Sequence, residues 1–70
     1  MTSYLEDMIE EADALARDYD RLRSDAVVAK NNAQGCGKDF WQEHVSRYDQ
    51  TASFLREARG YFIHALYHGE

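Results

Sequence analysis

The sequence predicts an all-α fold in which two long helices pack side by side as an antiparallel hairpin. The 70-residue chain contains no proline, and two of its four glycines flank Cys36 near the middle. Closely spaced glycines interrupt helices, so this segment divides the chain into two parts. In both parts, apolar residues recur every three or four positions, as in a helix that packs along one side. We therefore expect helices over about 4–33 and 39–68, in one helical-hairpin domain spanning 1–70.

The first predicted helix has a clear start and a long apolar seam. Ser3 and Glu6 have the spacing of a capping box, in which both side chains accept hydrogen bonds from backbone N–H groups of the first turn. Asn31, Asn32 and Gly35 are typical of a helix end. Between these limits the steps of three and four continue without interruption, as in a heptad pattern. The seam consists of Leu5, Met8, Ala12, Leu15, Tyr19, Leu22, Ala26, Ala29 and Ala33.

The second predicted helix carries more apolar surface than a simple hairpin needs. Asp39 and Gln42 again have the capping-box spacing, so we expect this helix to start at Asp39. Arg59 occupies a seam position opposite Asp13, and it either forms an ion pair within the hairpin or binds a partner protein. The other seam residues are Trp41, Val45, Tyr48, Ala52, Leu55, Phe62 and Leu66. A second stripe consists of Phe40, His44, Arg47, Thr51, Phe54, Ala58, Tyr61 and Ala65, and Ile63 and Tyr67 widen the other flank of the seam.

This surplus apolar surface predicts self-association. A chain this short buries little apolar surface alone and usually needs a disulfide, a metal or oligomerisation, and a single cysteine provides no internal disulfide. Two copies related by a two-fold axis cover the same surface on each other and form an antiparallel four-helix bundle. The residues expected in the dimer or partner interface are Phe40, His44, Arg47, Phe54, Ala58, Tyr61, Ala65 and Tyr67.

The first helix begins with an acidic face formed by Glu6, Asp7, Glu10, Glu11 and Asp13. The helix dipole favours negative charge there, so this face can be an ordinary solvated surface. It can also imitate a nucleic-acid backbone and occupy a basic groove on a DNA-binding protein. A net charge of −5 argues against binding nucleic acid itself. Further along, we expect ion pairs within the helix between arginines and aspartates. These residues are Arg17, Arg21 and Arg23 with Asp18, Asp20 and Asp25.

Catalysis, cofactors and membrane insertion are not expected. No set of nucleophile, base and orienting group is recognisable, and Cys36 has no neighbouring histidine that would activate its thiol. His64 and His68 share a helical face near Glu6 and Glu10, but this set is incomplete for a metal, so two surface imidazoles are the preferred interpretation. The sequence shows no export signal and no apolar stretch of about 20 residues. A single thiol without an export signal indicates the cytoplasm.

In size, hairpin form and single mid-chain turn, the chain resembles small phage proteins that disarm host regulators, including anti-activators of quorum sensing in Pseudomonas phages. The resemblance covers the whole chain in architecture and composition, including its preference for arginine over lysine, and no motif carries it. It implies a homodimer that binds a host transcription factor. The chain is also similar in form to the plasmid RNA-binding regulator that dimerises into a four-helix bundle. That family contacts RNA through basic residues of the first helix, where this chain has Arg17, Arg21, Arg23 and Lys30 among acids.

We therefore expect a cytoplasmic, homodimeric and non-enzymatic interaction protein. It would bind and inhibit a partner protein, such as a host transcriptional regulator. One alternative is an acidic nucleic-acid mimic or a four-helix-bundle regulator that binds nucleic acid. The other is a purely structural assembly protein.

Overall fold

Two antiparallel helices make up the computed structural model, which describes residues 3–69. Helix α1 spans Tyr4–Asn32 and helix α2 spans Cys36–Tyr67, with residues 33–35 as the connection. No strand occurs in residues 3–69, so the predicted all-α hairpin is confirmed. Residues 1, 2 and 70 of the predicted domain lie outside the described part. Neither helix is apolar enough over a sufficient length to cross a membrane.

The start of α1 shows one of the two hydrogen bonds of the predicted capping box. The Ser3 hydroxyl accepts a hydrogen bond from the backbone N–H of Glu6 at 3.1 Å, and Ser3 itself has an extended backbone. This bond satisfies one of the N–H groups that a helix start leaves without a partner. Glu6 and Asp7 lie in the first turn, where the helix dipole favours their charge.

The start of α2 differs from the prediction. We expected the helix to begin at Asp39, but it begins three residues earlier at Cys36, and its N-cap is Gly35. Gly35 has φ 60° and ψ −133° and makes no side-chain capping bond, so its backbone freedom turns the chain into the helix directly. Asp39 lies within the first turn and contributes a favourable charge there.

The contact between the helices is lined by small residues. In the part of the chain that the structure describes, the buried residues are Ala12, Ala16, Ala26 and Ala52. The hairpin measures 52 × 18 × 11 Å, so it is one layer of helices that covers only the line where they touch. The predicted seam was therefore wrong in part: Leu15 and Leu22 lie beside this line and stay 39% and 43% exposed, whereas Ala16, which the seam omitted, is buried.

Ion pairs and a hydrogen bond link the two helices along one side of the layer. Arg59 pairs with Asp13 at 3.7 Å, so of the two interpretations of Arg59 the structure contains the ion pair within the hairpin. Three further bonds lie at successive positions towards the turn. They join Arg56 to Asp20, Arg23 to Asp49, and Lys30 to Gln42. Asp20 and Arg23 therefore pair with α2, which corrects the expectation that they pair within α1.

Candidate protein-interaction surfaces

The two sides of the helical layer differ in chemistry. The side with the ion pairs that join the two helices is called the polar face. The opposite side has a groove of about 270 Å³ lined mainly by apolar residues of both helices. Residues seven positions apart share a helical face, which extends this surface from Leu15 to Leu22 and from Phe54 to Phe40 and Tyr61, with Arg47 between Phe40 and Phe54. We call it the apolar face. Its apolar members are Met8, Leu15, Leu22, Phe40, Phe54, Leu55, Ala58, Tyr61 and Phe62, and Glu11 also lines its groove.

The apolar face leaves large side chains exposed. Phe54 is 67% exposed and Tyr61 is 68% exposed. The chain exposes 5341 Å² in total, whereas a folded monomer of 8.1 kDa exposes about 4,500 Å². The excess of about 850 Å² is close to the roughly 800 Å² that each partner buries in a standard protein interface.

Aromatic side chains cluster at the end of the hairpin near the turn. His44 lies between Phe40 and Tyr48, with ring centroids 4.4 and 5.9 Å away, and its Nδ1 lies 3.0 Å from the Phe40 carbonyl oxygen. If Nδ1 carries the proton it donates to that carbonyl, which orients the ring. Trp41 packs on Phe40 at 5.2 Å, and Tyr48 reaches Tyr19 of α1 at 6.0 Å. These contacts order the aromatic rings at the turn end of the hairpin.

The remaining predicted interface residues lie in several environments. Arg47 pairs with Glu43 of its own helix at 2.7 Å, so its guanidinium already has a partner. Ala58 lines the groove of the apolar face, and Ala65 is half-buried. Tyr67 lies elsewhere: it lines a second groove and is 79% exposed. The structure therefore separates Tyr67 from Phe54 and Tyr61, which the prediction grouped with it.

This second groove, which we call the end groove, lies between the start of α1 and the end of α2. Its volume is about 450 Å³, and Arg59 places it on the polar face. The sequence pattern did not predict this groove, because it combines residues from both chain ends. Ile9 and Ile63 are apolar residues outside the predicted seams, and they are the sequence signal that could have indicated this groove. The lining residues are Glu6, Ile9, Glu10, Arg59, Ile63, Leu66 and Tyr67.

Within the predicted acidic face, only Asp13 has charged partners among residues 3–69. It pairs with Arg17 at 3.3 Å and with Arg59 at 3.7 Å. No hydrogen bond or ion pair joins the carboxylates of the other four acidic residues to residues 3–69, which leaves their charge available at the surface. They are Glu6, Asp7, Glu10 and Glu11.

His64, His68 and Cys36 are the remaining side chains that could bind a metal or react. The rings of His64 and His68 stack with their centroids 4.2 Å apart. Residues 3–69 contain no group of three or more histidine, cysteine, aspartate or glutamate side chains that could hold a metal ion. Cys36 is exposed at the first position of α2 and forms no disulfide.

No family model, no curated protein and no solved structure matches this chain.

Proposed function

We propose that this chain is a small, non-enzymatic interaction protein of the cytoplasm that acts as a homodimer. Two hairpins join through their apolar faces into an antiparallel four-helix bundle. The bundle binds and inhibits a partner protein, such as a transcriptional regulator of a phage host.

The observation that carries this proposal is the imbalance between buried and exposed apolar side chains. The buried residues of the described chain are all alanines, while Phe54 and Tyr61 stand in solvent. Exposed apolar patches of this kind mark sites of protein association. The excess of exposed surface over that of a compact monomer of the same mass is also close to the area that each partner buries in a standard interface.

A second copy suits the apolar face in shape and charge. In a two-fold interface the same patch meets itself. The α2 stripe carries large side chains at Phe54 and Tyr61 beside the small Thr51, Ala58 and Ala65, so each chain offers projections and recesses to the other. Among the acids at the start of α1, Glu11 lines the groove of this patch, whereas Glu6 and Glu10 line the other groove. Two chains of net charge −5 therefore bring only part of this acidic segment into the contact.

Two measurements test the proposal. Sedimentation velocity at micromolar concentration should give twice the monomer mass. The chain immobilised on a matrix should retain a regulator from a lysate of its host, and the purified regulator should lose activity when the chain is added. A monomer at these concentrations would refute the dimer. A regulator whose activity does not respond to the chain would refute the inhibitory role.

A further inference from the structure

We propose that the end groove binds a cationic amphipathic helix of the partner protein. This inference rests on the proposed function, because it assigns the partner's chemistry and the place where it docks. It uses a surface separate from the apolar face. A dimer formed through the apolar face would therefore leave one end groove on each hairpin accessible.

The shape of the end groove fits a helix. It runs between two antiparallel helices, and its apolar lining consists of Ile9, Ile63 and Leu66, flanked by the exposed ring of Tyr67. A groove between two helices accepts a row of side chains from a third helix. Leucine-type side chains on one face of such a helix would enter the groove and cover this apolar lining.

The charge of the end groove favours a cationic occupant. Glu6 and Glu10 line it one helical turn apart, and neither has a charged partner in the described residues. The dipole of α1 explains an acid in the first turn at Glu6 but falls off before Glu10. The groove's cation, Arg59, faces Asp13 at 3.7 Å. Lysines or arginines four residues apart on the occupant would therefore meet two carboxylates whose charge is not balanced within the hairpin.

The difference in charge between the two helices also favours a cationic occupant. Helix α1 contains eight acidic and four basic residues, whereas α2 contains four of each. The excess of negative charge lies on α1, and its first ten residues include five acids and no base. This field would attract a cationic segment towards the end groove before contact.

The first test uses two labelled peptides of about 18 residues, about five helical turns. One has leucine on one face and lysine on the other, and the second has glutamate in place of lysine. Fluorescence anisotropy with the full chain should show saturable binding of the lysine peptide and none of the glutamate peptide. Equal binding of both peptides, or of neither, would overturn the inference.

Variants locate the binding site. Glu6→Gln combined with Glu10→Gln should weaken binding of the lysine peptide by about tenfold, since each exposed pair contributes a small factor. The matched control is Asp18→Asn combined with Asp25→Asn, which removes the same charge from exposed positions of α1 outside the groove. The control should change affinity by less than about threefold. An equal loss in both variants would show non-specific attraction and overturn the assignment.

Arg59→Met provides a test of sign. It removes the positive charge of the groove and keeps an apolar side chain of similar length. A cationic occupant should bind more tightly to this variant, whereas an anionic occupant held by Arg59 would bind more weakly and overturn the inference. Circular dichroism checks that each variant stays helical.

Sedimentation of the same samples separates this inference from the proposed function. Peptide binding that depends on Glu6 and Glu10 in a monomeric chain would support the end groove and refute the dimer. A dimer that inhibits a regulator but does not distinguish the two peptides would overturn the end-groove assignment alone.

Discussion

Phe54→Ala should abolish dimerisation at micromolar concentration, and the size of the effect follows from the exposed ring. An aromatic side chain presents about 200 Å², and Phe54 is 67% exposed in the hairpin, so about 130 Å² is available to a second chain. Alanine keeps a small part of this area. The variant therefore loses about 100 Å² per chain, or about 2.5 kcal/mol at 25 cal/mol per Å². A symmetric dimer contains two copies, which doubles the loss to about 5 kcal/mol.

This loss corresponds to a rise in the dimer Kd of about three to four orders of magnitude. Sedimentation equilibrium over a wide concentration range measures it. The matched control is Gln50→Ala, one turn earlier on α2 and exposed, which should change Kd by less than about twofold. The helicity of the dilute monomer should stay the same in both variants, because the Phe54 ring contributes little to the hairpin contact. An unchanged Kd in Phe54→Ala would refute the assignment of the apolar face.

The hairpin itself offers four further predictions, all measured by chemical denaturation. Gly35→Ala should lower the free energy of unfolding by about 1–3 kcal/mol, because its backbone conformation suits glycine. Gly60→Ala should raise it by about 0.5–1 kcal/mol, because a Cβ there meets no atom within 4 Å. Changes of the same sign in the two glycine variants would contradict this reasoning. Ala52→Leu should lower it by about 1–3 kcal/mol, because the site is 1% exposed, and a variant as stable as the parent would mean a loose contact. A double-mutant cycle between Arg59 and Asp13 should give a coupling of about 0.2–1 kcal/mol that falls with added salt, and a salt-independent value would exclude a screened ion pair.

The sequence was sufficient to predict the hairpin because its signals are local and agree with one another. The capping pair of Ser3 and Glu6 sets the start of α1, and the long seam of small and apolar residues requires a helix. The start of α2 was misplaced because two local signals competed. Asp39 and Gln42 have a capping spacing, but Gly35 turns the chain earlier, and a helix that has begun at Cys36 needs no second cap.

The burial of individual residues was harder to predict, because it depends on how many layers surround a helix. A heptad seam treats Ala12 and Leu15 as equivalent positions. In a single layer of two helices, only the central line is covered, so Ala12 is buried while Leu15 stays partly exposed. A four-helix bundle would bury both. Leu15 and Leu22 therefore have the partial exposure that is expected of a single helical layer whose apolar face a second layer would cover.

The end groove cannot be recognised from the spacing of residues along the chain, but it follows from the antiparallel packing of the two helices. Its residues come from opposite ends of the chain, so no local spacing unites them, and only the antiparallel packing brings Ile9 near Ile63. Its position also has a physical cause. The polar bonds between the helices run from Lys30 and Gln42 near the turn to Asp13 and Arg59. Beyond that pair, the polar face has no further bond between the helices in the described residues, and apolar side chains with two unbalanced carboxylates take its place. The end groove thus begins where the ion pairs of the hairpin stop, which is where a partner helix can supply the missing cations.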